Sequence, residues 1–536
     1  MVRQLQLQLS PQQAASKAAV RQAVLQSAGI KPSELEHVKI LRRSYDARSR
    51  NVKVLLTVEA FINEPYVAPD PFQTEYKALQ KNKSVIIVGA GPAGLFAALR
   101  LLERGIKPVV IERGKNVRDR RRDLAAINKQ HVVSPHSNYC FGEGGAGTYS
   151  DGKLYTRSNK RGDIKSVLEI FVEHGADENI LVEAHPHIGT NKLPKIIGAM
   201  RDVILHRGGE IHYNTHVEDF LIDGDKIQGV VTQAVDNHGS ANGDQKTFEA
   251  HAVILATGHS ARDVYYLLQR RNVLIEPKPF AVGVRAEHPQ ALIDCIQYHC
   301  DPKDHDKIRE HLPAASYSLV HLAVAQRSPH GVYSFCMCPG GIIAPCATEQ
   351  EQVVTNGWSP SKRNNPYANS GIVVEVKAED LKPFKQHGAL AGIALQQSME
   401  RAAWEGGGKT QAAPAQRIKD FIAGKISSSL PDCSYQPGLT AAPLQELLPA
   451  FVSNALREGF KMFGKKMRGY LVDDAVIVGV ETRTSSPVRI PRDAVSLQHP
   501  QLHGLYPSAE GAGYAGGIVS AAMDGRKVAD AIAAVV

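Results

Sequence analysis

The chain has 536 residues and a mass of 58.2 kDa, which exceeds what one hydrophobic core usually serves, so two or three domains are expected. Hydrophobic residues make up 43% and charged residues 22%, a balance that excludes a disordered or fibrous protein, and no apolar run reaches the roughly 18 residues of a membrane helix. Seven cysteines in so long a chain argue against a disulfide framework and predict free thiols in a cytoplasmic protein, while the net charge of +9 is weak support for an anionic partner.

The first 78 residues are predicted to form a separate small α/β unit. Polar and apolar side chains alternate over residues 4–9, as they do in a half-buried strand, and Ser10-Pro11 is typical of a helix start. Residues 38–41 and 52–62 are predicted to be two further strands. The proline-rich residues 63–71 are expected to be the linker that leaves this unit.

A βαβ unit follows, with a glycine-rich turn between its first strand and its helix. Residues 83–88 and 108–111 are short apolar runs typical of strands buried on both faces of a parallel sheet. In the G-x-G-x-x-G turn, the first glycine permits the tight turn, the second lets the backbone approach a diphosphate, and the third lets the helix pack on the strand. The glutamate after the second strand can accept hydrogen bonds from the hydroxyl groups of a ribose. The residues predicted here to bind a dinucleotide are Gly89, Gly91, Pro92, Ala93, Gly94, Glu112 and Arg113.

A second G-x-G-x-x-G, at residues 142–147, stands between polar segments and does not predict a second dinucleotide fold. It is better interpreted as a backbone nest whose N–H groups face a phosphate or a flat ring, with a glycine-rich loop of no binding role as the alternative. Lys153 supplies a positive charge close to it. The predicted ligand-facing residues of this segment are Gly144, Gly145, Gly147, Ser150, Asp151 and Gly152.

Two later segments favour FAD over NAD. Residues 253–258 are predicted to be a buried strand ending in Thr257-Gly258, and residues 505–511 lead into a glycine-rich helix start at 513–517. Together with the first glycine turn they are similar to the glutathione-reductase-like FAD proteins. Within that class the chain resembles a family of bacterial FAD-dependent dehydrogenases. The sequence motifs that carry this resemblance are residues 138–141, 150–154, 256–263, 335–341, 481–489 and 510–520.

This resemblance implies FAD as the cofactor and gives individual residues a role. Gly89, Gly91 and Gly94 would hold the pyrophosphate and Glu112 the adenosine ribose. The backbone of Val217 would meet the adenine, and Thr257 and Gly258 would line the cofactor. Glu510, with Gly511 after it, stands where many relatives have an aspartate. Gly516, Gly517 and Ile518 would direct N–H groups and the positive end of a helix dipole towards the flavin.

The predicted fold class is α/β: a Rossmann-like FAD-binding domain, an inserted mixed α+β substrate or lid domain, and the small N-terminal unit. The sequence pattern of residues 277–480 differs from that of the preceding segment and predicts mixed strands joined by Pro/Gly turns. Residues 504–536 return to a βα pattern. The predicted boundaries are therefore 1–78 for the N-terminal unit, 79–276 and 481–536 for the two parts of the FAD-binding domain, and 277–480 for the insertion.

Candidate catalytic side chains come from cations and histidines. Arg285, Arg483 and Arg489 could form a cationic substrate pocket, or they could pair with acids such as Glu287 and Glu481. Lys153, the positive charge near the second glycine loop, is a further candidate. His259 and His288 are candidate general bases. For His259 a structural role competes, because Ser260 and Asp263 have the spacing of a capping box.

Three cysteines and two basic segments are predicted to have structural roles only. Cys336, Cys338 and Cys346 lack the spacing of a redox C-x-x-C or of a zinc site, so no metal is predicted and small buried side chains are favoured. The basic residues 113–122 and 461–468 are interpreted as solvated helix faces.

The leading functional hypothesis is an FAD-dependent oxidoreductase that transfers a hydride through flavin N5 to or from a small anionic metabolite. Without a second strand–glycine–helix unit, NAD(P)H is expected at most as a transient visitor to the same pocket. Nucleic acid is an unfavoured partner, although a flavoprotein acting on RNA through Arg42, Arg43, Arg48 and Arg50 is an alternative. Non-catalytic FAD binding is a third.

Overall fold

The computed structural model describes residues 1–156, 162–236, 239–324 and 328–536. Its N-terminal unit is an antiparallel sheet in the order β1-β3-β2 with two helices against it. Leu5, Leu7 and Leu9 are buried while the glutamines between them are exposed, because successive strand residues point to opposite faces. The elements are β1 (Val2–Leu9), α1 (Pro11–Ala15), α2 (Lys17–Ala28), β2 (Leu35–Asp46) and β3 (Lys53–Ile62).

The next segment alternates strands and helices and contains a β-meander before its last strand. Its elements are β4 (Ser84–Val88), α3 (Pro92–Glu103), β5 (Lys107–Ile111), α4 (Val117–Gln130), α5 (Ile164–Glu173), α6 (Leu193–His206), β6 (Glu210–His212), β7 (Thr215–Asp223), β8 (Lys226–Val235), β9 (Ala241–Glu249), β10 (Val253–Leu255) and α7 (Arg262–Arg270). The meander β7-β8-β9 is antiparallel. Its strand β9 was not among the predicted strands, since its sequence is polar and does not alternate.

A second, mixed sheet with helices occupies the following segment. Its elements are β11 (Glu276–Pro277), β12 (Phe280–Pro289), α8 (Gln290–Tyr298), α9 (His305–Arg309), β13 (Val320–Ala323), β14 (His330–Cys338), β15 (Ile342–Pro345), β16 (Thr355–Trp358), β17 (Tyr367–Val376), α10 (Ala391–Gly406), β18 (Ala413–Arg417), α11 (Ile418–Ala423), β19 (Leu439–Ala441), α12 (Leu444–Leu447), α13 (Ala450–Lys466) and β20 (Val476–Glu481). The sheet order is β13-β14-β17-β12-β20-β18-β19. The strand β20 continues through Glu481, one residue past the predicted end of the insertion.

The chain then returns to the first sheet through β21 (Val488–Arg489), β22 (Leu505–Pro507) and α14 (Ile518–Ala533). A parallel sheet in the order β22-β10-β4-β5-β6 results, buried between two apolar layers. The helices α14 and α3 pack so closely that a Cβ on Gly525 would lie 2.1 Å from the Ala93 carbonyl oxygen. The predicted fold class, a Rossmann-like α/β domain with a second mixed domain and a small N-terminal unit, is confirmed.

None of the helices in the described part of the chain is long and apolar enough to cross a membrane.

Candidate cofactor and active site

The first glycine turn, between β4 and α3, leaves space for a ligand at one position only. A Cβ on Gly89 would lie 2.5 Å from the Ala256 carbonyl oxygen, and one on Gly94 would lie 1.9 Å from the Gly89 carbonyl oxygen. A Cβ on Gly91, by contrast, would meet no atom within 4 Å. The first and third glycines therefore serve packing, and the second faces open space of the kind a diphosphate needs.

The helices that begin at this site have free N-terminal backbone N–H groups. Both α3, after Gly91, and α14, after Gly517, lack a side-chain cap and an acidic residue in the first turn. Side chains cap some other helices of the chain, such as α4, which Asn116 caps, and α5, which Asp163 caps. The two uncapped helix starts thus retain the unpaired donors and the positive dipole end that favour an anionic ligand.

The second glycine loop joins these two helix starts. The Gly144 N–H donates to the Ala90 carbonyl over 2.8 Å, and a Cβ on Gly145 would lie 3.2 Å from the Gly91 Cα. A Cβ on Gly147 would lie 3.4 Å from Ile518 at the start of α14. The structure therefore brings three separately predicted segments together, with a small apolar cavity between them lined by Pro92, Gly144, Gly147 and Ile518.

Arg120, which the sequence analysis assigned to a solvated helix face, is fully buried under this loop. Its guanidinium donates to the carbonyl oxygens of Asn138, Glu143 and Gly145 over 2.7–3.0 Å. No carboxylate in the described residues pairs with it, and its second terminal nitrogen has no partner there. Burial lowers the pKa of Arg120 from its usual value. A buried arginine without an ion-pair partner in the described residues thus holds the glycine loop by hydrogen bonds to its carbonyl oxygens.

Glu112, predicted to bind the ribose, is hydrogen-bonded to the backbone at three different positions. Its carboxylate accepts the N–H groups of Ala90, Gly114 and Gly142 over 2.9–3.0 Å. An ionised carboxylate has about four acceptor positions, so one remains for a ligand hydroxyl.

Arg113, the next residue, makes a bidentate ion pair with Asp263 at the start of α7, with N–O distances of 3.0 and 2.7 Å. His216, beside Val217 on β7, also contacts Asp263, over 2.7 Å. Although burial opposes it, hydrogen bonds from His216 and Arg113 hold the pKa of Asp263 well below its usual range. Of the predicted adenosine-binding residues, Val217 is buried, and the Arg113 Nε has no partner within the described structure.

The turn after β10 carries His259 to the start of the last segment. A Cβ on Gly511 would lie 2.7 Å from the Gly258 carbonyl oxygen, so the Thr257-Gly258 turn packs directly on this segment. His259 Nδ1 lies 3.1 Å from a Glu510 carboxylate oxygen, whereas its buried Nε2 has no partner in the described structure. Glu510 in turn lies against Gly516. The proposed capping box is absent, because α7 begins after Ala261 with no side-chain cap.

Lys153 lies where the glycine loop meets the inserted domain. Its ammonium donates to the Met337 carbonyl oxygen and lies 3.9 Å from Asp151, which also pairs with Arg363 over 2.6 Å. Gly152, between them, has a φ of +69°. Ser150 closes the loop by donating to the Gly147 carbonyl. Two cations share one buried carboxylate here, which leaves an excess positive charge.

The other predicted cations are placed differently. Arg285 is fully buried and pairs with Glu481 over 2.9 Å, so the ion-pairing alternative describes it. Arg483 pairs with Glu400 over 3.2 Å, a partner that the sequence analysis did not name. Arg489 is exposed and stacks over Tyr514. Arg285 and Arg483 are therefore not available as unpaired cations for an anionic substrate.

His288 lies in the core of the inserted domain and not with the cofactor-binding residues. Its Nε2 contacts the Tyr470 carbonyl oxygen over 2.9 Å, and its ring lies against the Tyr470 ring. Burial lowers the pKa of His288 to about 4. The structure thus favours a neutral, structural histidine at this position over a base beside the flavin.

The cysteines of the insertion do not act as one group. Cys338 is buried beside Arg285, and Cys336 is exposed with a φ of +44° at a bulge in β14. Cys346 instead contacts Cys140 of the FAD-binding domain. Within the described residues, no cluster of three or more histidine, cysteine or acidic side chains could hold a metal ion.

Comparisons with known proteins identify the families and proteins that this chain is similar to. Residues 82–262 match the family "FAD binding domain", residues 279–484 match "FAD-dependent protein, C-terminal domain-like", and residues 1–61 match a domain family of unknown function. A thiamine thiazole synthase of Methanococcus maripaludis is 28% identical over 200 residues, covering 35% of this chain and 61% of that protein. A geranylgeranyl bacteriochlorophyll reductase-like structure from Thermoplasma acidophilum aligns over 84% of this chain and 77% of its own, with 12% identity and a TM-score of 0.34.

The cofactor is FAD, and the open Gly91 cradle between uncapped helix starts fits its diphosphate. The narrower glutathione-reductase-like resemblance stays a prediction. An uncharacterised protein of Clostridium beijerinckii is 40% identical over 519 residues, covering 93% of this chain and 92% of that protein. The chain therefore belongs to the same family of FAD-dependent proteins as this Clostridium beijerinckii protein.

Proposed function

We propose that the protein is an oxidoreductase that exchanges a hydride between FAD and a small anionic metabolite. The observation that carries the proposal is the exposed, uncapped start of α14 next to the His259–Glu510 pair. Bound FAD supplies the ring that accepts or donates the hydride at N5. The free N–H groups and helix dipole at Gly516-Gly517 favour negative charge close to them, as a reduced flavin anion would require.

The cofactor is proposed to be held at both ends by this chain's own groups. Gly91 and the N–H groups of α3 would take the diphosphate, and the remaining acceptor position of Glu112 would take a ribose hydroxyl. Gly145 and Gly147 bring a second backbone surface against the same space. With FAD bound there, the insertion would exclude water from the reacting atoms.

The anionic substrate is proposed to bind at Lys153. Its ammonium side chain is 38% exposed, and the Lys153–Asp151–Arg363 group has one more positive than negative charge. His187, which also lies near Asp151, does not add to this charge, because burial lowers its pKa to about 4. A carboxylate or phosphate would complete the charge balance of this group.

His259 is proposed to hold or release a proton at its Nε2 when the substrate is oxidised or reduced. The Glu510 carboxylate lies 3.1 Å from Nδ1, where it would favour the tautomer that carries its hydrogen on Nδ1 and leaves Nε2 to accept a proton. The pair has the geometry of a base with an orienting carboxylate.

A substrate screen under anaerobic conditions tests the proposal. Purified protein is expected to be yellow, and a small carboxylate or phosphate ester is expected to bleach its visible flavin band. With that substrate, Lys153→Met should raise KM about tenfold or more, because one charge-assisted contact is worth about 1.5–3 kcal/mol. Lys165→Met, which removes an exposed lysine on α5, is the matched control and should leave KM unchanged.

Flavin-containing protein that no small anion bleaches would overturn the proposal. Salt-sensitive binding of tRNA by such protein would instead favour the RNA alternative. The structure gives that alternative little support, because Arg43 pairs with Glu183 and Arg48 with Asp46. Bleaching by NADH or NADPH alone would identify a nicotinamide as the reductant that visits the same pocket.

A further inference from the structure

Two cysteines of the insertion lie side by side at the end of α8. The Cys295 and Cys300 sulfur atoms are 3.1 Å apart, and both side chains are partly exposed. A disulfide bond needs about 2.05 Å between its sulfurs, so closing the pair requires a movement of only about 1 Å. Solvent access and closeness, the two conditions for thiol–disulfide exchange within one chain, are therefore both met here.

The backbone at this helix end brings the two sulfurs together. His299 follows α8 with a φ of +56°, and its N–H donates to the Cys295 carbonyl oxygen. The Cys300 N–H donates to the same oxygen over 3.1 Å. This is the Schellman arrangement, in which the side chains at the two ends of the closed turn lie in contact. The usual contact there is between apolar side chains, whereas in this chain both are thiols.

His299, between the two cysteines, joins α8 to the N-terminal unit. Its Nε2 lies 3.0 Å from the Ala47 carbonyl oxygen, in the turn between β2 and β3. Ala47 and Val52 of this turn also pack against the apolar core of the insertion, as Ile296 of α8 does. The turn that docks the N-terminal unit on the insertion thus contacts the short segment that a bond between the two cysteines would close.

We propose that Cys295 and Cys300 form a reversible disulfide by exchange with a small-molecule disulfide such as oxidised glutathione. The Cys300 thiolate attacks one sulfur of that disulfide and releases the first small thiol. Cys295 then loses its proton, and its sulfur attacks the Cys300 sulfur, which releases the second small thiol. The two released thiols carry the two protons and two electrons that the protein loses, and an excess of reduced thiol reverses the reaction.

The order of these two attacks follows from the protonation of Cys295. Burial and the neighbouring Cys300 sulfur raise the pKa of Cys295 to about 12. Cys295 is therefore a thiol at neutral pH, which leaves Cys300 as the sulfur that attacks first. Once Cys300 carries the small thiol it is no longer a negative neighbour, so this part of the increase disappears before Cys295 has to react.

The disulfide is proposed to hold the N-terminal unit more firmly against the insertion. The ring of six residues that it closes keeps the end of α8 from fraying, because a cross-link removes open conformations of the chain. His299 then stays in the left-handed conformation in which its ring reaches Ala47. Neither FAD nor a metabolite takes part in this reaction.

Peptide mapping after exposure to glutathione tests the disulfide. Residues 286–303 form one tryptic peptide that contains Cys295 and Cys300 and no other cysteine. FAD-loaded protein is incubated at increasing ratios of oxidised to reduced glutathione and quenched with N-ethylmaleimide in denaturant. The peptide should become two hydrogens lighter and stay unalkylated. The Cys295→Ser protein should instead retain glutathione on Cys300, and Cys433→Ser, which removes a partly exposed thiol elsewhere in the insertion, should still form the link.

Two results would rule the disulfide out. One is a peptide that carries two N-ethylmaleimide groups at every glutathione ratio, and the other is glutathione retained on Cys300 of the unsubstituted protein. Because both results are measured on the unsubstituted chain, the test still decides where a variant does not fold.

Hydrogen exchange of the amides at residues 45–49 tests the effect on the N-terminal unit. These amides should exchange about fivefold more slowly in the oxidised protein than in the reduced protein, because one hydrogen bond is held more firmly. His299→Gly keeps the left-handed turn, which glycine favours, and removes the ring. This variant should form the disulfide and show no such slowing. Equal exchange in the oxidised and reduced unsubstituted proteins, or a slowing that persists in His299→Gly, would overturn the proposed effect.

Discussion

Glycines of one motif have opposite physical roles in this site. The backbone at Gly94 leaves no room for a side chain, because the Gly89 carbonyl oxygen occupies the place of a Cβ. The backbone at Gly91 has room in the protein itself, and a side chain there would compete only with the ligand. Substitution at these two positions should therefore separate folding from FAD binding.

We expect Gly91→Ala to fold normally and to lose FAD affinity, because its methyl group enters the space of the diphosphate. Gly94→Ala should instead lose about 1–3 kcal/mol of stability or more from overpacking. Thermal unfolding of the FAD-free proteins and flavin fluorescence quenching measure the two effects. A Gly91→Ala protein that unfolds early, or that binds FAD as the unsubstituted chain does, would contradict this assignment.

At the scale of one element, α4 shows that a buried charged residue can support a cofactor site although the sequence analysis placed it on a solvated face. Its buried residues are Val117, Arg120, Leu124 and Ile127, which follow the spacing of an amphipathic helix. The arginine thus occupies a position on the apolar stripe. That spacing was the available signal, but it was overlooked because five of the neighbouring side chains in 118–123 are charged as well. The partners of Arg120 could not be predicted, since they are loop carbonyls 18–25 residues away.

We expect Arg120→Met to weaken FAD binding about tenfold or more. The change removes the three hydrogen bonds that shape the second glycine loop and the positive charge closest to it. The measurement is the rise in Tm caused by excess FAD, which decreases as Kd increases. Arg118→Met, on the same helix but outside its buried residues, is the control and should keep the full rise. Equal rises in both variants would show that Arg120 acts only on stability.

For the whole molecule, local patterns predicted the elements and long-range contacts decided the site. Buried runs and glycine turns predicted the parallel sheet and its cofactor edge, because period and turn chemistry are properties of short segments. Ion-pair partners, by contrast, depend on contacts between segments that are distant in the sequence. Glu481 was named as a partner for Arg285, but the Arg483–Glu400 pair spans 83 residues and links the segment after β20 to α10. The Cys140–Cys346 contact was missed for the same reason.

The Arg262–Glu400–Arg483 group joins the FAD-binding domain to the insertion and should make their association sensitive to acid. Although burial opposes it, the two guanidinium groups lower the pKa of Glu400 from 4.5 to about 2. Because the folded pKa is the lower one, the stabilisation is complete above pH 4.5 and is lost as the pH falls towards about 2. Glu400→Gln should therefore lose about 3–5 kcal/mol at pH 7, and less at each lower pH in that window.

Urea unfolding of both proteins between pH 7 and pH 3 measures this difference. Glu351→Gln is the control, since its pair with Arg401 is about half exposed and should contribute less than about 1 kcal/mol at any pH. A difference between Glu400→Gln and the unsubstituted chain that stays constant down to pH 3 would mean that Glu400 is not ionised in the folded protein.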